Sequence, residues 1–398
     1  MPHRRPSTFD PSAPKQILLL VGIEFGYGRD VVRGVASYAR EHHRLWTYRR
    51  ADPTIDALRA VRAWRPDGGV VHLFNSAVER AFRRLNIPGV DFSSRLDLPD
   101  LGHVRVDDHA IGQTAAEHFL NRGFRHLAFV GYPNAPFSIA RQQGFDLEAQ
   151  RRSIGTHLFT YEIDAPGGPH WATEARRLTG WLRLLPRPIG ILAVNDRTGA
   201  ELTSLCAAAG LRIPEEAAVL VINNDDLLCQ ISDPPLSSVL APMDQVGYEA
   251  GRMLDEMMAG GSVPAEPLLI PPLGVITRRS TDVVAVSDPL IATALTFIRQ
   301  RACLGINVED VLDHIAISRS LLEQKFRQLI GRTPLAEIRR VRVERAKELL
   351  LETKLPMPAI AQACGFSGAV RFSTVFRQLV GETPTDFRQQ RNNGRVEK

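Results

Sequence analysis

The 398-residue chain has few cysteines and no long apolar run. Its four cysteines, Cys206, Cys229, Cys303 and Cys364, are scattered and form no Cys-x-x-Cys pair. This spacing disfavours a zinc site or a disulfide framework and predicts reduced thiols in the core. Residues 1–15 are polar and rich in proline and lack the apolar segment of an export signal. We therefore expect a soluble, cytoplasmic protein that makes no use of a membrane.

Motifs of nucleotide and metal enzymes are also missing. A dinucleotide-binding fold needs Gly-x-Gly-x-x-Gly after its first strand, but Gly22, Gly26 and Gly28 have the wrong spacing. The sequence contains neither a Walker phosphate-binding motif nor His-Glu-x-x-His, and no nucleophile is placed beside a base. These absences predict binding without turnover, with no catalytic residue, no cofactor and no metal.

Positive charge is concentrated at the C-terminal end. From Asp288 onwards there are 18 Lys and Arg against 12 Asp and Glu, a net charge of +6, whereas the remainder of the chain is at −1. The length allows two or three domains. A basic domain on a nearly neutral body is typical of a nucleic-acid-binding module joined to a domain that handles another ligand.

One peptide occurs twice in the basic region. Residues 325–334, KFRQLIGRTP, return fifty positions later as VFRQLVGETP. Upstream of each copy, apolar residues with the i, i+3, i+4, i+7 spacing predict an amphipathic helix; they are Val308, Val311, Leu312 and Ile315, then Met357, Ile360, Ala361 and Cys364.

A second helix is predicted in each copy after a short turn, with Ser318 and Ser367 accepting backbone N–H groups at its start. Leu322, Phe326 and Leu329 form its apolar face in the first copy, and Phe372, Phe376 and Leu379 form it in the second. A short helix, a tight turn and a longer helix, repeated, predict two helix-turn-helix units.

The outward faces of the second helices have donors and acceptors suited to base edges and phosphates. They are Ser318, Arg319, Ser320, Glu323, Gln324 and Arg327 in the first unit, and Ser367, Arg371, Ser373, Thr374 and Arg377 in the second. The alternative is a merely solvated surface on a helical bundle. A predicted connecting helix over 335–353 would be about 27 Å long, near the roughly 34 Å between successive major-groove faces. Its arginines, Arg339, Arg340, Arg342 and Arg345, would either face the DNA backbone or keep the helix soluble.

The tandem units, the connecting helix and the closing Gly381-Glu-Thr-Pro-Thr-Asp-Phe-Arg388 resemble the DNA-binding domain of AraC-family transcription regulators. The resemblance covers about Asp288 to Gln390. It implies that double-stranded DNA is a partner and that both second helices enter the major groove.

The preceding 280 or so residues alternate short apolar runs with helical stretches, which predicts doubly wound parallel sheets. Ligands of such sheets bind at the carboxyl ends of the strands. There the sequence places polar groups such as Asp107, Asn195 and Asn223, which suit a small polyhydroxylated molecule.

Val106-Asp-Asp-His-Ala-Ile-Gly112, Arg122-Gly-Phe-Arg-His126, Asn195-Asp196 and Ser237-Ser-Val239 resemble the sensor domain of LacI/GalR regulators, which has a type I periplasmic-binding-protein fold with two lobes. The resemblance implies one lobe over about 16–122 and 242–265 and another over 123–241 and 266–282, with a 283–287 linker before the 288–398 DNA-binding domain. It implies sugar contacts at Asp107, Arg141, Trp171, Asn195 and Asn223, the last being aspartate in most of that family. Glu24 and Arg29 are candidates from the opposite lobe.

Each candidate has a second interpretation. Asp107 would cap the following helix, Arg141 would pair with a surface carboxylate, and Trp171 would belong to the core.

A sensor of this type in front of tandem helix-turn-helix units resembles the xylose-responsive AraC-family regulators. That resemblance implies an activator controlled by xylose or a related monosaccharide, a homodimer, and RNA polymerase as a partner. We hypothesise that sugar closes the cleft and reorients the linker. The alternatives are a regulator of the same architecture that senses another carbohydrate or a non-sugar molecule, and a sugar-processing enzyme with an appended DNA-binding domain.

Overall fold

The first sheet consists of six parallel strands. The computed structural model describes residues 14–93, 98–161, 171–283 and 288–392. The strands are β1 (Lys15–Leu20), β2 (Trp46–Ala51), β3 (Gly68–Val71), β4 (Gly89–Asp91), β5 (Gly102–Val106) and β11 (Leu268–Ile270). Their order in the sheet is β11-β5-β4-β3-β1-β2. We call this sheet and the helices that cover it lobe one.

Helices cover both faces of the lobe-one sheet. They are α1 (Gly26–Glu41), α2 (Ile55–Val61), α3 (Ser76–Arg83) and α9 (Met243–Met258). Alternate residues of β1 point to opposite faces. Leu18 and Leu20 pack in the cluster that contains α2 and α3, whereas Ile17 and Leu19 pack in the cluster that contains α1 and α9. A strand buried on both faces is apolar throughout, which explains the unbroken apolar run in the sequence.

The second sheet repeats this plan. Its strands are β6 (Leu127–Gly131), β7 (Thr156–Thr160), β8 (Ile189–Ala193), β9 (Ala217–Ile222), β10 (Ser237–Val239) and β12 (Val275–Ile276), in the order β12-β10-β9-β8-β6-β7. Only β12 is antiparallel to its neighbour. The helices of this part, lobe two, are α4 (Asp108–Leu120), α5 (Pro136–Arg151), α6 (Trp171–Leu184), α7 (Asp196–Ala208) and α8 (Asp226–Ile231). The predicted pair of doubly wound lobes is confirmed.

The chain passes between the lobes at positions that differ from the expected ones. Helix α4 packs along α5 of lobe two, so the first passage follows Val106 rather than residue 122. Strand β11 pairs with β5 of lobe one, so the last passage falls between Ile270 and Val275 rather than near residue 266. The expected boundaries followed sequence similarity, whereas the observed passages follow the pairing of strands and the packing of helices. Residues 1–13 of the expected lead-in and residues 284–287 of the expected linker lie outside the described residues.

Helices α4 and α5 touch through their backbones. A Cβ atom on Gly112 would lie 2.0 Å from the Arg141 carbonyl oxygen, and one on Gly144 would lie 2.0 Å from the His109 carbonyl oxygen. The same reciprocal arrangement joins α1 to α9, through Gly34 and Gly247. Each lobe therefore holds two helices at a separation that only glycine permits.

The C-terminal domain is a bundle of helices. They are α10 (Pro289–Arg301), α11 (Val308–Ile315), α12 (Arg319–Ile330), α13 (Pro334–Glu352), α14 (Met357–Ala363), α15 (Ala369–Val380) and α16 (Pro384–Asn392). The predicted units are α11 with α12 and α14 with α15, and α13 is the predicted connecting helix. Residues predicted to form the first helix of each unit are buried, including Val311, Ile315, Ile360 and Cys364.

Helix α13 belongs to both units. Its first half supplies Ile338 and Val341 to the core of the first unit. Its second half supplies Val343, Ala346 and Leu350 to the core of the second unit. One continuous helix therefore fixes the spacing of the two units, because each core packs on a different half of it.

The repeated Gly-x-Thr-Pro sequence ends one helix and starts the next. Gly331 and Gly381 end α12 and α15 with φ angles of +76° and +90°, which glycine adopts without strain. Thr333 accepts the backbone N–H of Ala336, and Thr383 accepts that of Asp386, each at 3.2 Å. The repeat therefore encodes the same corner twice.

Two local predictions are wrong. Leu329 and Leu379 are exposed by 40% and 51% because the last turns of α12 and α15 extend beyond the cores. Gly368 is the N-cap of α15 and has no side chain to bond, so Ser367 does not have the predicted capping role, whereas Ser318 accepts the Leu321 N–H at 3.4 Å. Within the described ranges, every helix is too short or too polar to span a bilayer.

Gly144→Ala should lower the free energy of unfolding by about 1–3 kcal/mol, because the added methyl group meets backbone rather than a movable side chain. Gly180→Ala is the matched control, since Gly180 lies in α6 with open space around its Cα, and there alanine should be neutral or stabilising. Urea denaturation measures both. Equal effects of the two substitutions would contradict the close contact of α4 and α5.

Candidate functional site: an interlobe cavity and two recognition helices

A cavity of about 330 Å³ lies between the lobes. Lobe one contributes residues that follow β1, β3 and β4, and lobe two contributes residues that follow β6, β8 and β9. These are the carboxyl ends of parallel strands, where doubly wound sheets bind ligands. The polar lining includes His72, Ser93, Asp108, Arg141, Asn195, Asp196, Arg197, Asn223 and Asp225.

Three of the predicted contacts line this cavity: Arg141, Asn195 and Asn223. The Arg141 guanidinium is 5% exposed, and it donates to Asp108 Oδ1 at 2.7 Å and to the Val194 carbonyl at 2.6 Å. Its carboxylate partner is therefore buried, not on the surface. A buried arginine held by both a carboxylate and a carbonyl is fixed in direction, and this one lines the cavity.

The two asparagines are held by different means. Asn195 caps α7, and its Oδ1 accepts the Thr198 N–H at 2.9 Å, so its amide NH₂ group is left to donate. Asn223 has φ +95°, and its backbone N–H donates to the Val239 carbonyl at 3.1 Å. The left-handed backbone turns the chain at the end of β9 and places the side chain at the cavity wall.

Four other candidates are not among the described lining residues. Asp107 accepts the Ala110 N–H at 2.9 Å and so caps α4, which is the second of the two roles considered for it. Trp171 packs against the core of lobe two beside Tyr161. Arg29 donates to the carbonyls of Ile23 and Glu24 and lies 3.6 Å from Asp225, at the rim of the cavity.

Aromatic rings form much of the cavity wall, and none of these rings is among the predicted contacts. They are Phe25, Tyr27, His72, Phe74, Phe92, Tyr132 and Phe137. Phe25 stacks on Tyr27, and His72 stacks on Phe92. Tyr132 and Phe92 directly follow the strands β6 and β4, so their position after buried strands was the available signal. Ring faces suit the C–H surface of a ligand whose hydroxyls bond elsewhere.

Asp225 joins the lobes across the cavity. Its Oδ2 accepts the Gly26 N–H of lobe one at 2.7 Å, and its Oδ1 accepts the Leu228 N–H at the start of α8 at 3.2 Å. Its own N–H donates to Asp196 Oδ2 at 3.1 Å. One carboxylate therefore connects the end of β9 with the start of α1.

Asp196 is a buried acid in the cavity wall. Burial raises its pKa to about 7, because lost hydration outweighs the stabilising N–H of Asp225 and the thiol of Cys229. A carboxyl group with this pKa exchanges its proton near neutrality and changes from donor to acceptor.

The described residues contain no cluster of three or more His, Cys, Asp or Glu suited to a metal ion.

The first recognition helix, α12, exposes the predicted polar face. Ser320, Glu323, Gln324, Arg327 and Gln328 line one shallow groove. Arg319 pairs with Glu309 at 2.7 Å and lies 3.6 Å from Glu323, which also lies 3.6 Å from Arg327. On DNA binding, Arg319 and Arg327 would each exchange a glutamate partner for DNA. Lys325 of the same helix pairs with Asp288.

The second recognition helix, α15, is less restrained. Arg371 and Arg377 are exposed and form no ion pair with another described residue. Thr374 Oγ1 donates to the Val370 carbonyl at 3.0 Å, and Ser373 is half-buried. Val370 itself is 84% exposed beside Arg371, and sequence analysis missed it because polar residues alone were sought. An exposed methyl-bearing side chain on a recognition helix suits the methyl group of thymine.

The arginines of α13 have mainly structural contacts. Arg342 donates to the carbonyls of Ala302 and Ile306 at 2.8 and 2.7 Å, and Arg345 pairs with Glu348 at 2.6 Å. Arg340 pairs with Glu337 and Asp282. Arg340 and Arg342 thus have structural contacts that neither alternative describes, whereas Arg345 is half exposed and pairs with a glutamate of its own helix.

The sequence matches a periplasmic binding protein-like domain over residues 116–281 and a helix-turn-helix domain over residues 311–390. A two-lobed ligand-binding domain joined to paired helix-turn-helix units defines a ligand-sensing transcription regulator.

Full-length relatives specify the family. The xylose operon regulatory protein of Escherichia coli K12 is 31% identical over 381 residues, covering 94% of this chain and 96% of that protein. That of Haemophilus influenzae is 30% identical, covering 94% and 98%. A solved structure of the xylose-binding transcription activator XylR matches with a TM-score of 0.69 at 30% identity, covering 96% of this chain and 99% of that one. The chain belongs to the family of xylose operon regulatory proteins, which are transcription regulators and not enzymes.

Asp196→Asn should change the pH dependence of stability. Because the native pKa of about 7 lies above the ordinary 3.8, folding retains a proton that the unfolded chain releases, and this contribution to stability declines as pH rises to about 7. From about pH 5 to about pH 7.5, the wild type should lose roughly 3 kcal/mol relative to the variant. Urea denaturation across this range measures the difference. A difference that stays constant with pH would contradict the raised pKa.

Proposed function

We propose that this regulator activates transcription from a specific operator in response to a pentose, D-xylose or a close relative, bound in the interlobe cavity. In this proposal the protein acts as a homodimer and has RNA polymerase as a partner. The observation that carries the proposal is the cavity itself, in which fixed polar groups and aromatic rings converge at the carboxyl ends of both sheets.

The cavity volume supports a small ligand. About 330 Å³ is at the lower end of the range of roughly 300–1,000 Å³ for small-molecule sites. Arg141 and Asn195 supply fixed donors, and Asn223 supplies both a donor and an acceptor. Such a set suits adjacent hydroxyl groups, while Phe25, Tyr27 and Phe137 suit the apolar face of a sugar ring.

The xylose operon regulators and the solved XylR support the identity of the sugar, since they are named for xylose. Asn223 stands where the LacI/GalR regulators usually have aspartate. An amide donates as well as accepts, so this residue selects a different hydroxyl pattern. A regulator that senses another carbohydrate is the second candidate, and the same experiment distinguishes the two.

Cavity occupation is proposed to favour one arrangement of the lobes. Asp225 already bridges them through Gly26, so a ligand that contacts both walls would add to an existing connection. A ligand shifts such an equilibrium only by its difference in affinity for the two arrangements.

A panel of free pentoses and hexoses should identify the ligand by thermal shift. At a hundred times its dissociation constant, the cognate sugar adds about 2.7 kcal/mol to the free energy of unfolding. Asn223→Gly should abolish the shift, since glycine keeps the positive φ while removing the amide. Asn86→Gly, the same change at a positive φ of +53° outside the cavity lining, is the control. No shift with any sugar would contradict the proposal.

Arg371→Ala should weaken operator binding by about 1–3 kcal/mol, and Arg319→Ala should weaken it less, because Arg319 must first leave Glu309. Titration of a labelled duplex, selected by the wild type from a random pool, measures both. Arg59→Ala, an exposed charge on lobe one, is the control. Unchanged affinity in both recognition-helix variants would mean that α12 and α15 do not face DNA.

A further inference from the structure

Ion pairs connect lobe two, which precedes the linker, with the first helix-turn-helix unit, which follows it. Asp282 Oδ1, the last carboxylate before the linker, accepts from Arg340 of α13 at 3.0 Å. Glu215, just before β9, pairs with Arg299 of α10. Arg299 also donates to the Asp282 carbonyl at 3.3 Å. We call Glu215, Asp282, Arg299 and Arg340 the clasp.

The clasp is largely shielded from water. The side chains of Asp282 and Arg299 are each 15% exposed, that of Arg340 is 22% exposed and that of Glu215 is 29% exposed. Burial would lower the pKa of Arg340, but the charges of Glu337 and Asp282 raise it overall. Ion pairs at this depth are screened less than surface pairs, and removal of one partner leaves the other uncompensated.

Asp282 is anchored in lobe two by a buried network. The preceding 3₁₀ turn, Arg279–Thr281, is held because Ser280 donates to the Val219 carbonyl at 2.6 Å and Thr281 donates to Ser237 at 2.7 Å. Arg122, just after α4, donates to the Thr281 carbonyl at 3.1 Å. The position of the clasp is therefore set by lobe two.

Two rigid elements run from the cavity to the clasp. Helix α4 begins at Asp108 in the cavity wall and is followed by Arg122 at the turn before Asp282. Strand β9 follows Glu215 and leads to Asn223 in the cavity wall. At about 1.5 Å per helical residue and about 3.3 Å per strand residue, each element spans roughly 20 Å. Asp282 and Glu215 are thus connected to the cavity by two separate elements of about equal length.

On the other side, the clasp reaches a recognition helix. Arg299 lies in α10, and Asp288, which caps the start of α10, pairs with Lys325 of α12. Arg340 lies in α13, whose first half packs in the core of the same unit. The first unit is therefore attached to lobe two through two helices, and both of them pack against α12.

We infer that the clasp makes the first helix-turn-helix unit a rigid extension of lobe two, so that movement of this lobe around a bound ligand repositions α12. The ligand-driven movement rests on the proposed function, whereas the attachment of the first unit to lobe two does not. Asp282 also offsets the repulsion between two like charges: burial and then the charge of Arg340 lower the pKa of Arg122 to about 10, and the charge of Asp282 opposes this shift. Without that carboxylate, Arg122 and Arg340 repel.

The attachment is tested without sugar or DNA. The variant Glu215→Gln with Asp282→Asn keeps the side-chain shapes and removes both charges from lobe two. Amide hydrogen exchange of α10 should become at least about fivefold faster, because local opening loses its charged partners. Glu216→Gln is the matched control, since that carboxylate pairs with Arg212 and Arg187 inside lobe two. Unchanged exchange in the double variant would overturn the clasp.

The second arm measures coupling, with D-xylose and a duplex selected by the wild type from a random pool. The ratio of DNA affinities with and without D-xylose should fall towards one in the double variant and stay at the wild-type value in Glu216→Gln. The exchanged pair, Glu215→Arg with Arg299→Glu, reverses the charges of one contact and keeps Asp282, so a wild-type ratio in it would show that the ion pair itself carries the coupling. A wild-type ratio retained in the double variant would overturn the inference. A wild type that ignores D-xylose contradicts the proposed ligand instead, and the exchange experiment then decides the clasp alone.

Discussion

The buried ion pair between Arg141 and Asp108 is the interaction on which the sensing part of the molecule depends. Both side chains are about 6% exposed, so the pair is retained only because its geometry compensates for lost hydration. The pair joins α5 to the start of α4, and the Val194 carbonyl adds the end of β8. Three elements of lobe two thereby meet at one charged point in the cavity wall.

This arrangement gives α4 a special position. Its start is fixed at the cavity by Asp108, its middle touches α5 through Gly112, and the chain just after it holds the turn before Asp282. A helix restrained at these points transmits a displacement better than it absorbs one, because packed interiors deform little. The proposed link between ligand and recognition helix follows from this stiffness. The shared helix α13 serves the same purpose among the DNA-binding units, since it belongs to both cores.

The sequence predicted the elements better than their contacts. The repeated peptide predicted the two units and α13 correctly, because glycine at a positive φ and a threonine cap are local properties of the chain. The alternating apolar runs predicted both lobes, because the apolar content of a buried strand is also a local property of the chain. The lobe to which α4 belongs could not be predicted, since a helix packs according to the surface it meets. Asp107 and Asp108 are adjacent carboxylates, and only the fold shows that the first caps the helix while the second holds Arg141. The aromatic wall was not predicted because its rings come from four separate connections of the two sheets, those that follow β1, β3, β4 and β6.

We expect occupation of the cavity and the contact with DNA to influence each other. Coupling of this kind is reciprocal, so each ligand must change the affinity of the other by the same factor. Calorimetric titration of D-xylose into the protein alone and into its complex with a selected duplex tests this directly. Reciprocal coupling predicts two different dissociation constants, whose ratio equals the change in DNA affinity caused by D-xylose. Identical constants in the two titrations would contradict it.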